Sequence, residues 1–223
     1  MHRVTLDALI HATCDYLRAC RDCRAFWPVV DVRPNNGGAK PVLAVSQCLC
    51  PLDALPELLS AATNRTANLV QQVVAHADTL EWFQVYKSTD PVGKGKFDRT
   101  AVAMLCGEGA AYIPAQGLCG FYYLQKDVEY AAHAHAPREI YAILSGTARY
   151  WNEATGWETR GPGDVIQTPE ESWHAMATPW EPVLILWAWI GQELDRAPRL
   201  RAPDGALPPG AFDIDTDTPA SPM

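Results

Sequence analysis

From about residue 100 onward the chain is a succession of short strand-like runs, broken by turn residues every eight to twelve positions, with no helical pattern between them. The runs are Thr100 to Leu105, Ala110 to Ile113, Gly120 to Gln125, Glu139 to Leu144, Ala148 to Asn152, Asp164 to Thr168, His174 to Ala177 and Val183 to Ile190. Strands of this length cannot be joined in parallel without crossover helices, so the pattern predicts an antiparallel barrel or jelly roll.

Ahead of that region the periodicity is helical. Leu6, Leu9, Ile10, Thr13, Tyr16, Leu17 and Cys20 recur at 3.6-residue spacing and predict one amphipathic helix from Thr5 to about Cys23. A second runs from about Asn64, a candidate N-cap, to Ala77, with Leu69, Val70, Val73, Val74 and Ala77 on one face. Between them, Pro34-Asn-Asn-Gly-Gly reads as a loop, and Leu52 to Ala62 as a short helix broken near Pro56. Beyond Arg196, six prolines with several Asp, Gly and Ser residues predict an extended or mobile tail. The expected layout is a mainly β chain: a helical segment over 1–86 packing on a barrel over 87–195, followed by a Pro-rich tail over 196–223.

At 223 residues and 48% hydrophobic, the chain can bury a full core as one globular unit. A formal charge of -8 and a pI near 5.2 argue against nucleic acid and anionic membranes, which reward clustered Lys and Arg. A small molecule is the expected partner. The first twenty residues are interrupted by His2, Arg3, Asp7, Asp15 and Arg18, so no signal peptide is read and a cytoplasmic location is expected. The best apolar run, Val183 to Ile190, is far short of the roughly 18 residues of a membrane span. The seven cysteines are expected to be reduced thiols; Cys20-x-x-Cys23 with Cys48-x-Cys50 is the weaker zinc-site alternative.

The chemistry concentrates in one stretch. His133 and His135 stand two apart and project together from an extended backbone; Glu139 and Tyr141 share that face if the strand resumes in register after Ala136-Pro137. His174 has to arrive on a different strand. Three imidazoles and a carboxylate suit one divalent transition ion, Fe2+, Mn2+, Zn2+, Ni2+ or Co2+, and leave coordination positions open to substrate or water. The bland alternative, ordinary surface histidines, fits a single His-x-His pair better than the whole set.

These residues carry a resemblance. His133-x-His135, three residues, Glu139, six residues, Gly146 is similar to the first cupin motif, and Gly163, five residues, Pro169, then His174 to the second. Two positions depart from it: Glu171 stands where glycine is usual, and Thr178 where asparagine is usual. The run from Tyr130 to Gly146, with its Glu-x-Tyr spacing, resembles the cupin-type dimethylsulfoniopropionate lyases, and the layout is most similar to their DddL-type members.

That resemblance implies a metal-dependent carbon-sulfur lyase that cleaves dimethylsulfoniopropionate into dimethyl sulfide and acrylate by β-elimination. It implies His133, His135, Glu139 and His174 as ligands, Tyr141 as general base and Tyr130 as an assisting tyrosine. A sulfonium cation lacks hydrogen-bond donors and favours aromatic faces; Trp189 and one of Tyr122 and Tyr123 are the expected contacts, while Trp187 reads as core. An iron(II) cupin dioxygenase and a non-catalytic ligand-binding cupin are the alternatives. The helical segment is read either as a cover for the barrel mouth or as a homodimer interface.

Overall fold

The computed structural model describes residues 6–35, 46–47, 55–201 and 205–211. Cys48 and Cys50 of the alternative zinc site and the last part of the tail lie outside them. Helix α1 (Asp7–Ala19) buries Leu9, Ile10, Ala12, Thr13 and Leu17 on the face its periodicity predicts. It stops short of Cys23: the chain turns at Cys20 and tightens into a 3-10 helix over Arg21–Val30, which contains Pro28. Helices α2 (Leu55–Ser60) and α3 (Ala67–Ala75) follow. The latter begins at Ala67 rather than beside Asn64, because a turn closed by Ala67 N–H to the Thr63 carbonyl at 2.8 Å precedes it.

The strands are β1 (Val32–Pro34), β2 (Ser46–Gln47), β3 (Trp82–Gln84), β4 (Thr100–Cys106), β5 (Tyr112–Pro114), β6 (Leu118–Leu124) and β7 (Glu129–Ala134), then β8 (Arg138–Ser145), β9 (Ala148–Asn152), β10 (Gly156–Arg160), β11 (Val165–Thr168), β12 (His174–Ala177), β13 (Val183–Ile190) and β14 (Arg199–Leu200). A large sheet runs β1-β5-β4-β6-β13-β8-β11, with β3 joined to β4 and β2 to β3; a small one runs β10-β9-β12-β7-β14. Strands therefore also arise before residue 87, at β1, β2 and β3. The start of the Pro-rich tail is docked as well, since Leu200 pairs with His133.

The large sheet is buried on both faces, which is why β6 and β13 read as continuous apolar runs rather than alternating ones. Phe121, Tyr123, Leu184, Leu186 and Ala188 face α1, α3 and the 3-10 helix. Tyr122, Leu124, Ile185, Trp187 and Trp189 face the small sheet, meeting Tyr130, Tyr150 and Met176. This second cluster is the interior of the barrel. The β8–β9 turn is held to glycine: Gly146 has φ 74°, and a Cβ there would fall 2.0 Å from the Pro182 carbonyl oxygen. Among the described residues no helix is long and apolar enough to cross a membrane.

Candidate metal centre and its pocket

His133 lies near the end of β7, and its neighbour across the sheet is His174 on β12. Past His135 the chain turns at Ala136-Pro137 and enters β8 in the other sheet. Glu139 therefore faces the histidines across the barrel interior instead of extending their strand, and its cross-strand neighbour is Trp189. The sheet switch brings together groups that a single strand face would have spread over several residues.

The histidine geometry is uniform. Nδ1 of His133 lies 2.9 Å from the Ala131 carbonyl oxygen, Nδ1 of His135 lies 2.9 Å from that of Pro137, and Nδ1 of His174 lies 3.0 Å from that of Ser172. A carbonyl can only accept, so each Nδ1 carries a proton and each Nε2 is left to face inward, the nitrogen through which such an imidazole ligates once it is deprotonated. The three ligand atoms lie within 4.8 Å of one another, on residues at most 4% exposed.

Glu139, 2% exposed, brings Oε2 to 3.2 Å from His135 Nε2 and 3.3 Å from His174 Nε2. Its Oε1 accepts a 2.6 Å hydrogen bond from the Trp189 indole. Burial alone raises a carboxyl pKa, but His135 and His174 more than offset this and hold Glu139 down to about 2. In the same way the carboxylate outweighs burial at His135 and raises it. Burial, reinforced by His174 and His135, keeps His133 well below its ordinary value and so neutral, the form that ligates. His174 Nε2 is buried, and its one polar neighbour is the Glu139 oxygen at 3.3 Å, poorly aligned for a hydrogen bond. Three converging imidazole nitrogens around a buried carboxylate are what a divalent cation would satisfy, so the donor set fits one.

A cavity of about 50 Å³ lies against Glu139, lined by Tyr86, Lys96, Tyr122, Tyr130, Tyr141, Trp187 and Trp189 among others. Tyr130 stacks on His133 at 3.8 Å between ring centroids and shares a 2.7 Å hydrogen bond with the Tyr86 hydroxyl. Tyr141 sits 6.2 Å from His174 by ring centroids, and burial, then Glu139, raises its phenol well above the ordinary range. Trp189 packs on His135 at 4.5 Å, so one ring face is partly covered. Of the expected substrate contacts, Tyr122 reaches the pocket and Tyr123 does not. They alternate on β6, and Tyr123 is sealed in the core on the helix side.

Tyr86 and Lys96 are pocket residues that the sequence did not single out, and Trp187, read as core, belongs to the interior cluster and lines the pocket as well. Tyr86 stands in a region read as helical, and Lys96 in a stretch read as a polar loop.

The family model for dimethylsulfoniopropionate lyase matches residues 41–185 of the chain. The chain belongs to the dimethylsulfoniopropionate lyase family. The lyase DddQ of Ruegeria pomeroyi is 29% identical over 156 residues, which span 70% of this chain and 75% of that protein. A crystal structure from work on the dimethylsulfoniopropionate lyases RdDddP and RnDddQII superposes with a TM-score of 0.73 at 26% identity, covering 88% of this chain and 97% of that one. The crystal structure of the Ruegeria pomeroyi DddQ superposes at 0.70 with 22% identity, covering 90% and 98%, and shows the shared fold. The names these relatives carry are DddP and DddQ, so the narrower expectation of a DddL-type member rests on the sequence layout alone.

Proposed function

We propose that this protein cleaves dimethylsulfoniopropionate to dimethyl sulfide and acrylate, with Tyr141 as the general base. The observation that carries the proposal is the convergence of His133, His135, His174 and Glu139 beside a pocket that Tyr141 lines, in a chain of this family. His133, His135, His174 and Glu139 would hold a divalent transition ion, which would supply Lewis-acid stabilisation of the negative charge that grows on the substrate as the proton leaves.

The tyrosine takes the proton from the carbon next to the carboxylate. The electron pair of that C–H bond becomes the new carbon-carbon double bond, and the C–S bond breaks with its pair leaving on sulfur as neutral dimethyl sulfide. A phenol is a base only when ionised, and burial opposes ionisation of Tyr141. Positive charge facing it has to reverse that, and the substrate sulfonium is one source. Tyr130, fixed by the Tyr86 hydroxyl and by stacking on His133, orients the substrate beside the base. Trp187 and Trp189, with ring centroids 5.8 Å apart, offer aromatic surface to the sulfonium methyl groups. Trp189 also holds the Glu139 carboxylate in its ligating orientation through the indole hydrogen bond.

Replacing Tyr141 by Phe removes the base and leaves the ring in place. The expected result is a fall in turnover of at least ~100-fold, the lower bound of general-base catalysis, with metal content unchanged. Retained turnover rules Tyr141 out as the base. Loss of metal together with activity reassigns it as a ligand.

A further inference from the structure

Lys96 lines the pocket, and the elimination described above gives it no task. It is 2% exposed, yet among the described residues no carboxylate pairs with it. Its Nζ instead lies over three aromatic rings, 4.4 Å from the Tyr130 centroid, 4.8 Å from that of Tyr86 and 5.0 Å from that of Tyr122. Buried lysines without an anion are rare, because removing an ammonium from water costs more than aromatic faces return.

The backbone holds it there. Val92 and Lys94 accept hydrogen bonds from the N–H groups of Ala131 and Glu129 at 2.9 and 2.8 Å, so this loop is fastened along β7, the strand that carries His133. Gly93, with φ 106°, allows the approach: a Cβ at that position would sit 2.2 Å from the Glu129 carbonyl oxygen. The Lys96 carbonyl in turn accepts from the Thr100 hydroxyl at 2.5 Å. Burial lowers the lysine to about 7, with no counter-charge to offset it. An approaching anion would restore the charged form.

We propose that Lys96 anchors the carboxylate of the substrate and thereby sets the direction in which the zwitterion enters the pocket. This rests on the lyase reading given above. The aromatic rings around Lys96 offer it no anion, and its ammonium can donate hydrogen bonds to a carboxylate in a setting largely removed from water. The same charge repels a sulfonium, so the cationic end is directed away from the Tyr86, Tyr122 and Tyr130 rings that the lysine already occupies. The aromatic surface left to it is that of Trp187 and Trp189.

Calorimetric titration of the metal-loaded protein with propionate and, separately, with trimethylsulfonium tests this on wild type, Lys96→Met and Lys96→Arg. Lys96→Met is expected to weaken propionate binding about tenfold or more, to leave trimethylsulfonium binding unchanged or tighter, and to raise KM for dimethylsulfoniopropionate. Its metal content should stay the same and its melting temperature should be no lower, because a neutral chain of similar length replaces an unpaired buried cation. Lys96→Arg should recover part of the propionate affinity. Equal propionate binding in wild type and Lys96→Met overturns the proposal. So does a parallel loss of both ligands with a lowered melting temperature, which would mark Lys96 as structural. A wild type that binds propionate through Lys96 but releases no dimethyl sulfide supports the anchor and contradicts the lyase reading instead.

Discussion

Each of the three barrel histidines commits Nδ1 to a backbone carbonyl within two residues of itself, and this fixes what Nε2 can do. The donors are thus set by short-range backbone geometry, which explains why spacing alone made His133, His135 and His174 legible in the sequence. Glu139 was legible for the same reason, although it reaches the site from the opposite sheet. Lys96 was not. A lysine just after Gly93-Lys94-Gly95 in a polar stretch reads as solvated, and its burial depends on a loop docking along β7 that no local pattern encodes. Trp189 was visible as an aromatic residue but not as a hydrogen-bond donor to Glu139, a pairing that exists only through the β8–β13 register. Replacing Trp189 by Phe should therefore lower metal affinity roughly 10- to 100-fold, in line with other residues that orient ligands, as measured by competition with a metallochromic chelator. Glu171, where glycine is usual in the motif, holds φ 58°. Its partly exposed pair with Arg199 contributes little, so Glu171→Gly should change stability by no more than about 1 kcal/mol, in the stabilising direction, in urea denaturation.

At the scale of elements, the runs read as strands in the sequence correspond to β4, β5, β6, β8, β9, β11, β12 and β13; β7 was read only as extended backbone at His133 and His135, and β10, whose Gly-Trp-Glu-Thr-Arg carries a single apolar side chain, was not read as a strand. The short ones, β1, β2, β3 and β14, carry too few positions for a period to show, and they form because an existing sheet offers unpaired backbone groups. The tightening of the chain after Cys20 into a 3-10 helix also escaped notice, since apolar positions in a tight helix fit no single template. Thr178, the second departure from the motif, has a definite task. Its hydroxyl donates to the Gln125 carbonyl at 2.5 Å and accepts from the Val128 N–H at 3.1 Å, which fixes the turn between β6 and β7. Thr178→Val keeps the shape and leaves those groups unsatisfied. It should destabilise the fold by about 1–3 kcal/mol with metal affinity unchanged, as read by denaturation and metal titration.

For the molecule as a whole, two sheets close over one interior, and both contribute to the centre: His133 and His174 from the small sheet with His135 just past its strand β7, Glu139, Tyr141 and Trp189 from the large one. An ion bound there ties the sheets together, so binding is linked to stability. Exhaustive dialysis against a chelator should lower the melting temperature and restoring the ion should raise it again; His174→Ala should show neither shift. The fold class was the most legible feature of the sequence because it follows from many weak signals that agree, whereas the pocket depends on a few tertiary contacts. The most direct test of the account is the headspace above purified, metal-loaded protein supplied with dimethylsulfoniopropionate under nitrogen. Elimination needs no oxygen, so dimethyl sulfide should accumulate with an equal amount of acrylate, and Tyr141→Phe should abolish both. Absence of dimethyl sulfide from the wild type, or its release only in the presence of oxygen, would contradict the account.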